Sequence, residues 1–254
     1  MITAGIDIGA KTVKVVLGQD GKVLARRLVP AGLDTAAATQ QALDEALADR
    51  SLSREQIDRF MATGAGRKDC AITDQEITEV GAAAKGILHI CKSCRTVIDV
   101  GAEEGRTVRC DENGKVIDFA YNEKCAAGAG VFAEGMARAL QVPLEELGPL
   151  SLKSEQAVQM NAQCAVFAES EVVTLIHNKT PREDIARAVL DAIASRIISM
   201  LRKVGFAKDI ALIGGMALNP GFVEAMKRGL EMDVYVPEDP EYIGALGAAL
   251  AAAE

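Results

Sequence analysis

Residues 6–25 read IDIGAKTVKVVLGQDGKVLA, and residues 97–118 read VIDVGAEEGRTVRCDENGKVID. Laid over one another, Asp7 falls on Asp99, Gly9 on Gly101, Ala10 on Ala102 and Lys14 on Arg106. After one inserted residue, Gly21-Lys22-Val23 falls on Gly114-Lys115-Val116. Each copy reads as an apolar strand, a tight Asp-x-Gly turn, a second strand, a glycine turn (Gln19-Asp20-Gly21 or Glu112-Asn113-Gly114) and a third strand. That is the pattern of a three-stranded meander. A chain that opens two halves this way, with helical patterns after each, predicts an α/β protein of two similar lobes with a cleft between them.

The helical patterns are specific. Residues 34–49 are alanine-rich with Leu43 and Leu47 four apart, and Ser53 to Gln56 has the spacing of a capping box. The strongest helix covers 181–204, where Thr180 is placed to cap, Pro181 suits the first helical position and Glu183 completes a T-x-x-E box. Its apolar stripe is Ile185, Val189, Ile193, Ile197, Leu201 and Val204. A last strand, Ile210-Ala211-Leu212-Ile213, runs into Gly214-Gly215, and a helical stretch over 243–253 follows.

With 254 residues the chain has room for one large domain or two modest ones. Tryptophan is absent and aromatics are 4% of the residues, so the core must be Val, Ile, Leu, Ala and Met. A net charge of −8 argues against nucleic acid as a partner, since such a binder carries a basic face. No apolar run reaches the ~18 residues of a membrane span, and Met1-Ile2-Thr3-Ala4-Gly5 passes straight into a strand pattern. The expectation is a cytoplasmic protein with no membrane contact, whose six cysteines are thiols or metal ligands rather than disulfides.

Several residues can carry chemistry. In the turn Asp7-Ile8-Gly9-Ala10, glycine lets the backbone approach a ligand and successive N–H groups can hold phosphate oxygens. Asp7 can hold Mg²⁺ through water, because Mg²⁺ keeps much of its hydration shell. Asp99-Val100-Gly101-Ala102 repeats the device, and Gly214-Gly215 adds a third tight turn after a strand. One Asp-x-Gly is an ordinary hairpin turn; two matched copies with a strand-ending Gly-Gly point to a ligand. Glu103 and Glu104 follow the second turn, where one of them can orient a water for attack on a γ-phosphate or both can be solvated. Lys11 and Lys14 either offset phosphate charge or are surface lysines.

Cys125 (in NEKCAAGAG, 122–130) and Cys164 (in NAQCAVFAE, 161–169) each precede a helical pattern, where the macrodipole favours the thiolate a metal needs. Two cysteines do not complete an Fe–S site, which takes four ligands, so a cluster would need a second subunit. From spacing alone, buried inert cysteines are the plainer reading. Cys91-Lys92-Ser93-Cys94 is a C-x-x-C that reads as half a metal site or a redox pair; with no second C-x-x-C, no role is assigned to it. His89 and His177 are isolated, and no Ser-His-Asp arrangement can be built from them.

The stretches GIDIGAKTVK, ATGAGR (62–67), IDVGAEEGRTV, NEKCAAGAG, NAQCAVFAESEV, LDAIASRI (190–197), LIGGMALNPGF and YIGALGAALAA resemble the activator and ATPase subunits of 2-hydroxyacyl-CoA dehydratases and ATP-dependent benzoyl-CoA reductases. The resemblance covers residues 4–252. It implies the acetate-and-sugar-kinase, heat-shock-chaperone and actin fold, with duplicated ribonuclease-H-like domains. Residues 1–94 would form the first lobe, with a C-terminal helix over 241–254 packing back on it, and 95–240 the second.

The resemblance further implies ATP and Mg²⁺ held by a first phosphate loop of Asp7, Gly9, Ala10 and Lys11 and a second of Asp99, Gly101 and Ala102. Gly214, Gly215 and Asn219 would lie in the adenosine motif, and Glu103 or Glu104 would act on the attacking water. Cys125 and Cys164 would ligate one 4Fe-4S cluster per dimer, shared with an identical or paralogous ATPase subunit. Ferredoxin would be the electron donor, and acyl-CoA reductase or dehydratase subunits the acceptor. Dehydratase activators carry G-G-Q-D where this chain has Gly101-Ala102-Glu103-Glu104, and that spelling resembles the benzoyl-CoA reductase subunits. The expected function is therefore the ATP-hydrolysing subunit of benzoyl-CoA reductase, with a dehydratase activator as the alternative. A small-molecule kinase or nucleotide switch of the same fold is the reading from another class.

Overall fold

Strand β1 (Ile2–Ile8) is buried along most of its length because helices cover both of its faces. The computed structural model describes residues 1–73, 75–122, 130–160 and 165–254, giving only the backbone at 165 and 166; Cys125 and Cys164 lie outside the described residues. β2 (Thr12–Gln19) pairs antiparallel with β1, and β3 (Lys22–Pro30) antiparallel with β2. Asp20 and Gly21, between β2 and β3, both take positive φ (51° and 77°), the geometry that matches a hairpin to strand twist. Helix α1 (Thr35–Ala48), capped by Asp34, carries the chain to β4 (Arg59–Thr63), which pairs parallel with β1. The sheet order is β3-β2-β1-β4.

Alternation along β1 sorts its neighbours. Ile6, with Val15 and Leu17 of β2, packs with Ala42, Leu43 and Leu47 of α1. On the other face, the Thr3 hydroxyl donates to the Ala249 carbonyl at 2.8 Å from α8 (Ile243–Ala252). A Cβ on Gly5 would overlap the backbone of Ala245 and Ala249, and one on Gly247 the backbone of Ala82 in α2 (Glu79–Ile90). The small residues of 243–252 are thus a packing surface for backbone-to-backbone contact.

A second sheet repeats the plan. It holds β5 (Thr96–Val100), β6 (Gly105–Cys110), β7 (Val116–Tyr121) and β8 (Ile210–Ile213) in the order β7-β6-β5-β8. Between β7 and β8 lie α3 (Gly130–Leu140), α4 (Leu144–Ser151), α5 (Ala165–His177) and α6 (Arg182–Val204); α7 (Pro220–Leu230) follows β8. The stripe of α6 is realised: Ile185, Val189, Ile193, Ile197 and Leu201 are fully buried, in one core with Phe132 and Leu140 of α3, Leu147 of α4, Phe222 of α7 and Ile98 of β5. Each such side chain contributes ~2 kcal/mol of transfer free energy. By their contacts the residues group into two units, Met1–Val97 with Val108–Asp118 and Glu241–Glu254, and Ile98–Thr107 with Phe119–Pro240. Among the described residues no helix is long and apolar enough to cross a membrane.

Two expectations are corrected. Thr180 does not cap α6: Pro181 occupies the cap position, no side chain bonds the first turn, and the Thr180 N–H turns back to the Leu175 carbonyl at 3.1 Å. The helix begins one residue later than the T-x-x-E spacing requires, at Arg182, which leaves Thr180 outside the cap position. The cysteines are not all thiols either, because Cys91 and Cys94 form a disulfide. The Cys94 N–H bonds the Cys91 carbonyl at 3.2 Å, and this turn brings the two Cα atoms to 5.5 Å, within bonding range.

Candidate functional site

The two Asp-x-Gly turns sit at equivalent ends of their sheets, each within its own unit. In the first, the Gly9 N–H donates to the Thr12 carbonyl at 3.0 Å and closes the turn between β1 and β2, with Ala10 and Lys11 exposed. Asp7 stands opposite Lys14 in the β1–β2 register, and the lysine Nζ lies 3.2 Å from Asp7 Oδ2. Behind the carboxylate is Gly64, the residue after β4, at φ 89°. A Cβ there would fall 2.5 Å from Asp7 Oδ1 and 2.5 Å from the Ile8 carbonyl, so only glycine lets β4 end against this turn. The Gly66 N–H donates to that Ile8 carbonyl at 3.0 Å, and Arg67 bonds the Gly64 carbonyl at 3.0 Å and Glu79 at 2.9 Å.

The second turn reproduces this arrangement. The Gly101 N–H donates to the Glu104 carbonyl at 2.9 Å, and Arg106 Nη1 lies 3.1 Å from Asp99 Oδ2. Gly214, at φ 84° after β8, backs the carboxylate: a Cβ there would fall 2.6 Å from Asp99 Oδ1 and 2.5 Å from the Val100 carbonyl. Arg106 also reaches Glu104 Oε2 at 2.8 Å and lies over the Tyr121 ring. Glu104 is therefore held, while Glu103 stands exposed. The carbonyls of Gly101 and Ala102 accept from the Gly130 and Val131 N–H groups at 2.9 and 2.8 Å, which ties this turn to the start of α3.

The remaining expected residues divide. Gly215 opens a short 3-10 turn, Gly215–Leu218, and among the described residues a Cβ on it would meet nothing within 4 Å. None of the described residues requires glycine there, so the open approach suits a ligand. Asn219 has a structural role, as its Oδ1 caps α7 by accepting from the Phe222 N–H at 3.0 Å. The sequence reading missed Gly64 as the counterpart of Gly214, and Lys14 and Arg106 as partners of the two aspartates. The signal was present in ATGAGR, where a strand ends in Thr63-Gly64 as β8 ends in Ile213-Gly214.

Among the described residues no group of three or more His, Cys, Asp or Glu side chains is placed to hold a metal ion. Asp7 and Asp99 each have one oxygen engaged by a cation, which suits Mg²⁺ held through its waters rather than ligated directly. The cluster assignment to Cys125 and Cys164 rests on residues outside those described.

Duplicated four-stranded sheets with matched Asp-x-Gly turns, each backed by a strand-ending glycine, place the chain in the acetate-and-sugar-kinase, heat-shock-chaperone and actin class. Within that class, residues 4–252 match the BadF/BadG/BcrA/BcrD ATPase family, and the chain belongs to it. It is 38% identical over 255 residues to an activator of lactoyl-CoA dehydratase from Anaerotignum propionicum, covering 100% of this chain and 98% of that protein. It is 31% identical over 260 residues to a benzoyl-CoA reductase subunit from Thauera aromatica, covering 98% of this chain and 92% of that protein. The structure of the activator of the 2-hydroxyisocaproyl-CoA dehydratase from Clostridium difficile with bound ADPNP matches with a TM-score of 0.94 at 35% identity, over 99% of this chain and 94% of that one.

Proposed function

We propose that the chain is the ATP-hydrolysing activator of a 2-hydroxyacyl-CoA dehydratase. The observation that carries this reading is the full-length likeness to dehydratase activators, 38% in one case, against 31% for the benzoyl-CoA reductase subunit. This replaces the expectation built on Gly101-Ala102-Glu103-Glu104, because a four-residue spelling weighs less than similarity along the whole chain. That spelling still favours a benzoyl-CoA reductase subunit as the second reading.

In this proposal the Asp7-Gly9-Ala10-Lys11 and Asp99-Gly101-Ala102 turns hold phosphates through backbone N–H groups, with Lys14 and Arg106 fixing the two carboxylates that orient hydrated Mg²⁺. Gly214 and Gly215 give the adenosine side its close approach. Glu103, the exposed carboxylate, orients the attacking water, while Glu104 is occupied by Arg106. Residues 1–94 with the closing helix form one lobe and 95–240 the other. Cys125 and Cys164 hold, with their counterparts on a second ATPase subunit, a 4Fe-4S cluster, which when bound supplies a one-electron carrier. The bonds from Gly130 and Val131 to the second turn give a route by which a change at that turn reaches the helix after Cys125. A ferredoxin serves as donor and the dehydratase as acceptor, in the cytoplasm.

The test is anaerobic purification followed by reconstitution with a 2-hydroxyacyl-CoA dehydratase, a reduced ferredoxin and ATP. The expected result is a brown protein with four irons per dimer that starts dehydration only when ATP is hydrolysed. A colourless protein that phosphorylates a sugar refutes the proposal. Activation of a benzoyl-CoA reductase core instead of the dehydratase moves the assignment to the second reading.

A further inference from the structure

We propose that Cys91 and Cys94 are a reversible thiol–disulfide exchange site whose substrate class is a dithiol. The inference is independent of the ATPase reading.

The pair sits where α2 ends and the lead-in to β5 begins. Cys91 caps α2, its N–H donating to the Ile87 carbonyl at 2.7 Å, and β5 starts two residues after Cys94. Its exposure is asymmetric. Cys94 is fully buried, Cys91 is half-buried, and Lys92 and Ser93 between them are exposed. An incoming thiolate therefore reaches the sulfur of Cys91, and Cys94 is the leaving group. The surroundings are cationic: Lys92 lies inside the ring, and the Arg95 guanidinium folds back on it, donating from Nη1 to the carbonyls of Lys92 and Cys94 at 2.8 Å each. Positive charge near the ring favours the departing thiolate and opposes the effect of Cys94's burial.

The alternative is a structural staple. A ring with two intervening residues is the poorest place for one, since the restraint a disulfide imposes on the unfolded chain grows with loop length. Nor does a neighbouring thiol compete. Cys110, whose N–H bonds the Arg95 carbonyl at 3.0 Å, is buried, and burial pushes its thiol up and keeps it protonated.

The exchange balances as two electrons and two protons. A thiolate of the dithiol attacks Cys91 Sγ, forming a mixed disulfide and breaking the Cys91–Cys94 bond; Cys94 leaves and ends as the thiol, taking the proton the attacking thiol gave up. The second thiol of the dithiol then attacks its own partner sulfur, closing its disulfide and releasing Cys91, which is protonated in turn. In the oxidised protein the end of α2 is tied covalently to the approach of β5, the strand that carries Asp99.

The full chain is purified in air, titrated with dithiothreitol, quenched with acid, alkylated and digested with trypsin. Cleavage after Lys92 separates the two cysteines, so the oxidised form yields two peptides joined by the disulfide. The expected result is conversion of this species to two singly alkylated peptides in one two-electron step, in the native protein. With glutathione disulfide as the probe, Cys94→Ser is expected to form the mixed disulfide on Cys91, releasing one glutathione thiolate, at least ~10-fold faster than Cys91→Ser does on Cys94, because Cys94 is buried and Cys91 is not. Alkylation of both thiols before any reductant is added overturns the proposal. A disulfide that yields to dithiothreitol only after denaturation also overturns it.

Discussion

Adding one methyl group at three glycines separates structural need from ligand need. At Gly64 and Gly214 the backbone has φ of 89° and 84°, and a Cβ would lie 2.5–2.6 Å from an aspartate oxygen and a backbone carbonyl. The backbone conformation alone costs about 1–3 kcal/mol for alanine. The contact with rigid backbone adds more, so Gly64→Ala and Gly214→Ala are each expected to destabilise their unit by about 3 kcal/mol or more. For a chain of this size that lowers the melting temperature by roughly 6–12 °C. At Gly215 the same methyl meets none of the described residues within 4 Å and φ is not positive, so Gly215→Ala is expected to melt within roughly 2 °C of the parent. If adenosine approaches there, the methyl excludes it, and affinity for a non-hydrolysable ATP analogue falls by about tenfold, or 1.4 kcal/mol. Thermal unfolding by circular dichroism and titration calorimetry on the same three variants read both quantities. An unchanged affinity in Gly215→Ala would sink the adenosine assignment. A stable Gly214→Ala would show that the close approach of the β8 end to Asp99 is not what the second turn needs.

Three further outcomes follow from particular contacts. Asp184, buried at the start of α6, accepts from the Ser154 hydroxyl at 2.7 Å and from the Glu155 and Gln156 N–H groups at 3.1 Å, so Asp184→Asn is expected to cost about 2 kcal/mol in urea unfolding at neutral pH. The Ser154 bond, then those of the two N–H groups, hold its pKa below the usual carboxylate value, so its stabilisation is complete above the unfolded-state pKa and is lost as pH falls through the lower folded one; the variant's acid unfolding should lack that loss. Glu103→Gln is expected to lower the ATPase kcat by about 10²-fold with KM for ATP nearly unchanged, and an equal loss in KM would remove its role in orienting water. Cys164→Ala should lose iron by colorimetric assay yet still bind ATP, and retention of iron shows that another residue is the ligand.

The meanders, the long stripe of α6 and the glycine after β8 were legible because each is a local matter of turn chemistry or period. Gly64 was not, although it lies within ATGAGR, because its requirement arises only when β4 lies parallel beside β1 and Thr63 comes opposite Asp7. Asp184 reads as one more acidic residue in a helical first turn, and its three acceptor bonds come from a segment about thirty residues earlier in the chain. The Thr180 box failed because α6 starts one residue later than its spacing implies, with Pro181 in the cap position.

The place where the repeat is imperfect is also informative. Lys14 and Arg106 occupy the same position in the two copies and engage the equivalent aspartates, but their head groups differ in reach. Lysine is a point charge and meets Asp7; arginine is a planar fork and takes Asp99 and Glu104 together. The second turn thereby fixes one of its two glutamates and leaves the other exposed, an asymmetry between Glu103 and Glu104 that spelling alone does not give. Arg106→Lys tests this division. The single ammonium keeps the pair with Asp99, as Lys14 does with Asp7, and frees Glu104. Because these groups are partly solvated, the expected loss of stability is only about 1 kcal/mol. The ATPase rate is expected to fall about tenfold, since a second mobile carboxylate then competes beside Glu103 at the turn. If the rate is unchanged, Arg106 does no more than neutralise Asp99. If the rate recovers on adding Glu104→Gln to Arg106→Lys, the freed carboxylate was the cause of the loss.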